Sequence, residues 1–315
     1  MRDLTQGSPA KQILFFTIPL VIGNLFQQLY NFSYTLIVGQ TLGVKALAAV
    51  GATGSIMFLI LGFVQGFTAG LSIITAQRYG ARDIAGVRKS MASTLLVSGI
   101  TTVVVTITSL VIVYPLLKLM QTPAEILNQA FVFVAIILAG IFATMGYNVT
   151  ANALRAVGDS RSPLIYLIIG MVANIILELW FILGLKLGVG GAALATVLAQ
   201  LISTVFSFWH IYKYSPLLQV TRSDLKWDSK DIRIHLHAGL PMGFQSSIIA
   251  IGALVLQGAL NTLGTDAVAA TTAAQRIDQV ATLPLMYFGI TMATFAAQNY
   301  GARQFDRILI GVKQA

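Results

Sequence analysis

The chain has 315 residues, 56% of them hydrophobic and only 10% charged, whereas soluble domains carry roughly 25% charged residues, so it lacks the charge to cover a water-facing surface and lipid is its expected solvent. Its net charge of +9 raises nucleic acid as a partner, but the basic residues fall in connections between apolar runs and form no stripe, which argues against that class. With no cysteine, a disulfide framework and a thiolate metal site are both excluded.

The N-terminal MRDLTQGSPAKQ leads into an apolar stretch far longer than a signal-peptide core, read here as a retained first membrane span. A membrane helix needs about 20 mostly apolar residues. Such stretches fall near 13–38, 47–76, 91–114, 127–152, 163–184, 190–212, 234–261 and 271–298. The predicted class is an all-α polytopic membrane protein of about eight transmembrane helices. Runs this long, with so little alternation, do not suit a membrane barrel, and several exceed the bilayer, so tilt or protrusion is expected.

Polar residues recur inside these spans. Helix one carries Asn24, Gln27, Gln28, Asn31, Tyr34 and Thr35 at spacings of three or four that place them on one face. Helix two carries Gln65, Thr68, Ser72 and Thr75, and helix four carries Thr144, Asn148 and Asn152. Helix five presents Gly170, Asn174 and Glu178, and helix six presents Thr196, Gln200, Ser203 and Ser207. Such groups are costly in lipid and face a bundle interior or a water-filled cavity. Each one alone also fits interhelical hydrogen bonding; together, helices one, four, five and six point to a hydrated cavity. Pro19 and Pro241 sit early in helices one and seven, and Pro284 in helix eight. A membrane-helix proline removes one backbone bond and permits a kink, either static or serving as a hinge.

Glu178 is the only one of the eleven acids well inside a span. Counted from Pro163 it lies roughly 22 Å up its helix, with no lysine or arginine in the same helix interior. Poor solvation disfavours the charged form of a carboxyl, and such a group can load and release a proton near neutral pH. The same carboxylate can bind Na⁺ with Asn174 and Thr196 as oxygen donors. The plainer alternatives are snorkelling to the outer interface or a neutral, hydrogen-bonded acid.

One set of connections carries sixteen of the 20 basic residues: Arg2, Lys11, Arg78, Arg82, Arg88, Lys89, Arg155, Arg161, Lys213, Arg222, Lys226, Lys230, Arg233, Arg303, Arg307 and Lys313. The alternate set carries Lys45, Lys118, Lys186 and Arg276. The positive-inside rule assigns the crowded set, and both termini, to the cytoplasm.

The chain also repeats. IPLVIGNLFQQ at 18–28, LGVKALAAVGA at 42–52 and AQRYGARD at 76–83 return as LPMGFQSS at 240–247, LGTDAVAATTA at 263–273 and AQNYGARQ at 297–304, the later blocks at a constant offset of 221. Transporters are often built from repeated halves with the binding site between them. The predicted division is a six-helix N-terminal lobe at 1–215, a cytoplasmic linker at 216–233, and the first two helices of a second lobe at 234–315. A second half as long as the first ends at about residue 440–450, so about four helices are expected to be missing.

In these segments, with ALRAVGDSRSPL at 153–164 and ANIILELWFILGLKLGVGGAALATVLAQ at 173–200, the chain resembles the bacterial branch of the multidrug and toxic compound extrusion (MATE) family over essentially its whole length. The resemblance implies twelve helices in two six-helix lobes around a central cavity, and export of cationic, amphipathic organic compounds in exchange for H⁺ or Na⁺. It implies a coupling site of one Asp on helix one and one on helix five, with nearby Asn and Thr. Carried over by motif, the helix-five acid is Glu178, the Asn is Asn174, the helix-six Thr is Thr196 and a helix-four Asn is Asn148. The helix-one Asp falls on Tyr34, a departure. A phenol ionises only near pH ~10, so Tyr34 offers a hydrogen bond and no charge. A lone carboxyl holds Na⁺ more weakly than a pair, which favours protons. Helix seven, GLPMGFQSSIIAIGALV, also lacks the acid that some relatives carry.

The expected function is a secondary active antiporter exporting organic cations for H⁺ or Na⁺. Cation coupling falls on Glu178, Asn174, Tyr34 and Thr196, the cavity on Gln27, Asn31, Asn148 and Gln200, and hinges on Pro19 and Pro241. No cofactor and no structural metal is expected beyond Na⁺ at Glu178 and Asn174. The expected partners are small amphipathic cations, the coupling ion and the lipid bilayer of a bacterial inner membrane, with the chain a monomer. Two alternatives are a truncated, transport-inactive product, and a flippase for lipid-linked sugars, which is expected to carry more cationic side chains in its cavity than these spans do. An enzyme is not expected, since there is no HExxH and no Ser/His pair within the spans. His210, His235 and His237 read as ordinary interfacial residues.

Overall fold

A computed structural model describes residues 3–221, 223–261 and 265–314; side chains are described for these except at 31, 250, 254–255, 257–261, 265–270, 272–273, 275–277 and 279–281. The described elements are helical: α1 (Pro9–Leu42), α2 (Val44–Ala52), α3 (Gly54–Gly80), α4 (Ile84–Leu119), α5 (Ala124–Ala139), α6 (Ile141–Ala156), α7 (Arg161–Leu179), α8 (Gly188–Tyr214), α9 (Ser229–Asn261), α10 (Thr265–Gly301) and α11 (Phe305–Gln314). Among the described residues, α1, α3, α4, α7 with its extension to Gly184, and α8 are long and apolar enough to cross a membrane, and α5 with α6 is a bent pair that passes the same test.

Local signals set the boundaries. Pro9 occupies the first turn of α1, where its missing N–H is harmless. Asp83 caps α4 by accepting from the Gly86 N–H at 2.8 Å. The eight expected spans each meet a helix, but two are broken where hydropathy runs on. The second does not begin at 47: Gly43, at φ 84°, starts the separate α2, and α3 begins at Gly54. The fourth bends by 45° at Gly140. A side chain there would collide with Val197 of α8, so glycine admits the close approach that the bend creates.

The core lies between α3, α4, α5 and α6, around Phe67, Leu71, Met91, Leu117, Leu138 and Leu154. Large apolar residues such as Phe32, Val111 and Leu119 point outward, as lipid-facing positions do. Helix α3 packs along α9 through small residues. A Cβ on Gly70 would lie 2.5 Å from the Ala238 carbonyl oxygen and 2.7 Å from Gly239 Cα, the backbone approach that small residues allow between membrane helices.

The two repeats face each other. A Cβ on Gly80 would strike the backbone of Gln298, and one on Gly301 the backbone of Gln77, the same pair exchanged by the offset of 221. Both helices then end alike. Arg82 and Arg303 adopt φ 58° and 59°, and the next N–H groups reach back, Asp83 to the Arg78 carbonyl at 3.0 Å and Gln304 to that of Asn299 at 2.8 Å. Gly80→Val is expected to cost about 1–3 kcal/mol by overpacking this crossing. Gly99→Ala, with nothing within 4 Å of the added carbon, serves as control. Equal thermal stability of the Gly80→Val variant and the wild type in detergent removes the argument.

The ends that bear most of the basic residues lie together. Arg78 at the end of α3 pairs with Asp231 at the start of α9, and the Gln298 amide of α10 donates to the Ala156 carbonyl of α6 at 2.7 Å. Tyr166 of α7 and His210 of α8 share a hydrogen bond of 2.8 Å. The exposed pair Lys45–Glu125 marks connections of the alternate set. His235 departs from the interfacial reading. It is fully buried, hydrogen bonded at 2.8 Å to the Asp231 carbonyl and at 2.7 Å to the Ser90 hydroxyl.

Candidate functional site

A cavity of about 410 Å³ opens between α1, α2, α3, α5, α6, α7 and α8. The expected residues Gln27, Tyr34, Asn148, Asn174, Thr196 and Gln200 all line it. Asn31 is expected there too, but its side chain lies outside the described residues. No charged side chain lines the cavity among the described residues; the rest of its wall is aromatic, aliphatic, methionine, glycine or uncharged polar, with Tyr30, Tyr34 and Phe133 in a row at centroid spacings of 6.3 and 6.2 Å. Aromatic faces attract organic cations, and Met57 and Met171 adapt to ligands of varied shape.

Glu178 sits one helical turn beyond Asn174, behind this wall and not in it. It is fully buried, and neither carboxylate oxygen accepts a hydrogen bond among the described residues. Thr196 joins the cluster: its hydroxyl donates to the Ala192 carbonyl at 3.1 Å, receives the Asn174 amide at 3.3 Å and lies 3.3 Å from the Tyr30 hydroxyl. The Asn174 Oδ1, Tyr34 hydroxyl and Gln200 Oε1 are enclosed without partners among the described residues. Buried polar groups are nearly always paired with protein, water or an ion. Four side chains with unsatisfied atoms in one region therefore mark a site for a small polar guest. Their oxygens suit a proton or a hard cation such as Na⁺.

The chain just after Glu178 reinforces the site. Trp180–Gly184 winds as a π-helical turn, an irregularity common at functional positions. Beside it, Ile182 packs with Val38 and Ala192. Tyr30 escapes the sequence reading, although its spacing of three from Gln27 and four from Tyr34 is available as a signal. Pro19 lies within α1 without ending it, and Pro241 within α9 beside the crossing at Gly239. Among the described residues no cluster of three or more His, Cys, Asp or Glu side chains offers a metal site.

This architecture has known counterparts. A MOP superfamily transporter from Pyrococcus furiosus superposes with a TM-score of 0.90 at 29% identity, over 99% of this chain and 70% of its own. The probable multidrug resistance protein YpnP of Bacillus subtilis is 31% identical over 97% of this chain and 68% of its own length. YoeA of the same organism, also a probable multidrug resistance protein, is 29% identical over 93% and 65%. The chain thus spans about two thirds of the length of these curated relatives. The family model described as MatE matches residues 19–180 and 241–315. That match takes in both copies of the repeat and most of the residues between them, and on it this chain belongs to the MatE family of multi-pass membrane transporters.

Proposed function

We propose that the chain works as a secondary active antiporter that exports amphipathic organic cations in exchange for H⁺, with Glu178 as the coupling acid. The observation that carries this reading is the enclosed carboxyl of Glu178, unpaired among the described residues and one helical turn beyond Asn174, which is hydrogen bonded to Thr196. An acid in that position gains a proton when water is excluded and loses it when water or a cation enters. The cavity beside it is lined by apolar, aromatic and uncharged polar side chains, with no charged one among the described residues, which fits an amphipathic cation better than the pyrophosphate of a lipid-linked sugar.

Na⁺ is the second reading, favoured by the Oδ1 of Asn174, without a partner among the described residues and beside the Thr196 oxygen. A single carboxylate makes it the weaker guest. The proposed organisation keeps residues 1–215 as one lobe, 216–233 as the linker and 234–315 as the start of the repeat, with Pro19 and Pro241 as hinges. The basic end faces the cytoplasm of a bacterial inner membrane, following the charge bias of the connections. In proteoliposomes, an imposed pH gradient is expected to drive uptake of a fluorescent organic cation with no Na⁺ present. Movement driven by Na⁺ alone replaces the proton with the second reading, and no response to either gradient removes the antiporter.

A further inference from the structure

A second cavity of about 40 Å³ lies toward the basic end of the bundle, between α1, α6, α7 and α10. Tyr147 and Leu167 line both this chamber and the main cavity, so these two side chains partition them. The partition is latched by the Tyr147 hydroxyl, which donates to the Pro163 carbonyl at 2.9 Å. Across the chamber, the Asn24 amide of α1 donates to the Tyr287 hydroxyl of α10 at 2.7 Å. A site needs about 10–15 Å³ by this measure to hold one water, so the chamber suits a few waters and no organic cation.

Arg155, in the last turn of α6, lines the chamber. Its Nη1 donates to Asn152 Oδ1 at 3.0 Å, and the Asn152 amide donates to Thr68 of α3 at 3.1 Å. These bonds fix the guanidinium without neutralising it. Among the described residues Arg155 forms no ion pair, and its Nε is enclosed without an acceptor, as is the Asn24 Oδ1 without a donor. A cation held half-buried and unpaired is expensive unless its charge is used.

We infer that Arg155 is a charge filter beneath the floor of the cavity, a fixed cation that repels organic cations from the path between the main cavity and the basic end while the partition is latched. At partly buried separations of several ångströms, one unit charge changes the local concentration of a monovalent ion on the order of tenfold. The inference deepens the antiport reading, since a filter against cations serves a cavity that carries them. Its test does not depend on transport.

The chain has no cysteine, so Leu167→Cys places a sole thiol on the partition. Its reaction rates with an anionic and a cationic methanethiosulfonate, each normalised to free cysteine, report the local potential. With Arg155 present the anionic reagent is expected to be favoured. Arg155→Gln is expected to lower that preference on the order of a hundredfold, tenfold for each reagent in opposite directions, and Arg155→Lys to retain it. A preference equal to that of free cysteine with Arg155 in place overturns the filter without any variant at that position, as does a preference that Arg155→Gln leaves unchanged. A shifted preference in a protein that moves no cation under either gradient keeps the filter and removes the antiporter; active transport with a flat preference does the reverse.

Discussion

Glu178→Gln is expected to reduce pH-driven efflux to the vesicle background while the protein still folds and still binds its cation. The amide keeps the shape of the side chain and removes its ability to exchange a proton. Structural damage and lost coupling are often hard to separate, but here the geometry separates them. The Glu178 oxygens accept no hydrogen bond among the described residues, so the substitution strips no neighbour of a partner, and the large penalty for breaking a buried network does not apply. Thermal stability in detergent is expected to stay within about 1 kcal/mol of wild type, in the range of substitutions that leave no orphaned charge. Cation binding, read by quenching of a fluorescent substrate, is expected to persist because the cavity wall is made by other residues. Normal gradient-driven efflux by the Glu178→Gln variant would remove Glu178 from the mechanism, whatever the fold.

The contrast between Glu178 and Asp231 shows what a sequence can disclose. Glu178, Asn174 and Thr196 are legible because polar side chains stand out in an apolar run, and the spacing of four puts Asn174 and Glu178 on one helix face. Tyr30 is not, because tyrosine is ordinary in a membrane helix and its role depends on meeting Thr196 from 166 positions away. Each apolar run becomes a helix, but Gly43 and Gly140 break two of them. Hydropathy is blind to that. The break at Gly140 answers to the approach of Val197 from another helix, a contact absent from local composition. Asp231 and His235 fall with the connections in sequence, yet both are buried. What buries them is the packing of α9 against α3 and α4, which the repeat implies only in outline.

Asp231→Ala is therefore expected to destabilise the protein by about 3–5 kcal/mol, the scale for leaving one member of a buried ion pair uncompensated. The Asp231 carboxylate accepts from Arg78 and, at 2.7 Å, from the Ser93 hydroxyl. Its backbone carbonyl faces His235 Nδ1 at 2.8 Å. A carbonyl only accepts, so Nδ1 carries the hydrogen and Nε2 accepts from Ser90, whose oxygen lies 2.9 Å from that of Thr75. One residue thus ties the start of α9 to both α3 and α4. Asp228, half-buried just before α9, adds less. Lys89 at 2.6 Å and the N–H groups of Asp231 and Lys230 push its carboxyl from an ordinary 3.8 down to about 2. Its contribution is complete above the ordinary value and lost only as pH falls toward the lower one. The decisive comparison is with Arg78→Met combined with Asp231→Leu. Removing both charges spares the desolvation that a single deletion strands, so the double variant is expected to recover most of the lost stability. Additive losses in thermal unfolding would mean that the two side chains act independently, and the anchoring of α9 would then rest on its other contacts, the His235–Ser90 hydrogen bond and the glycine crossing at Gly70 among them.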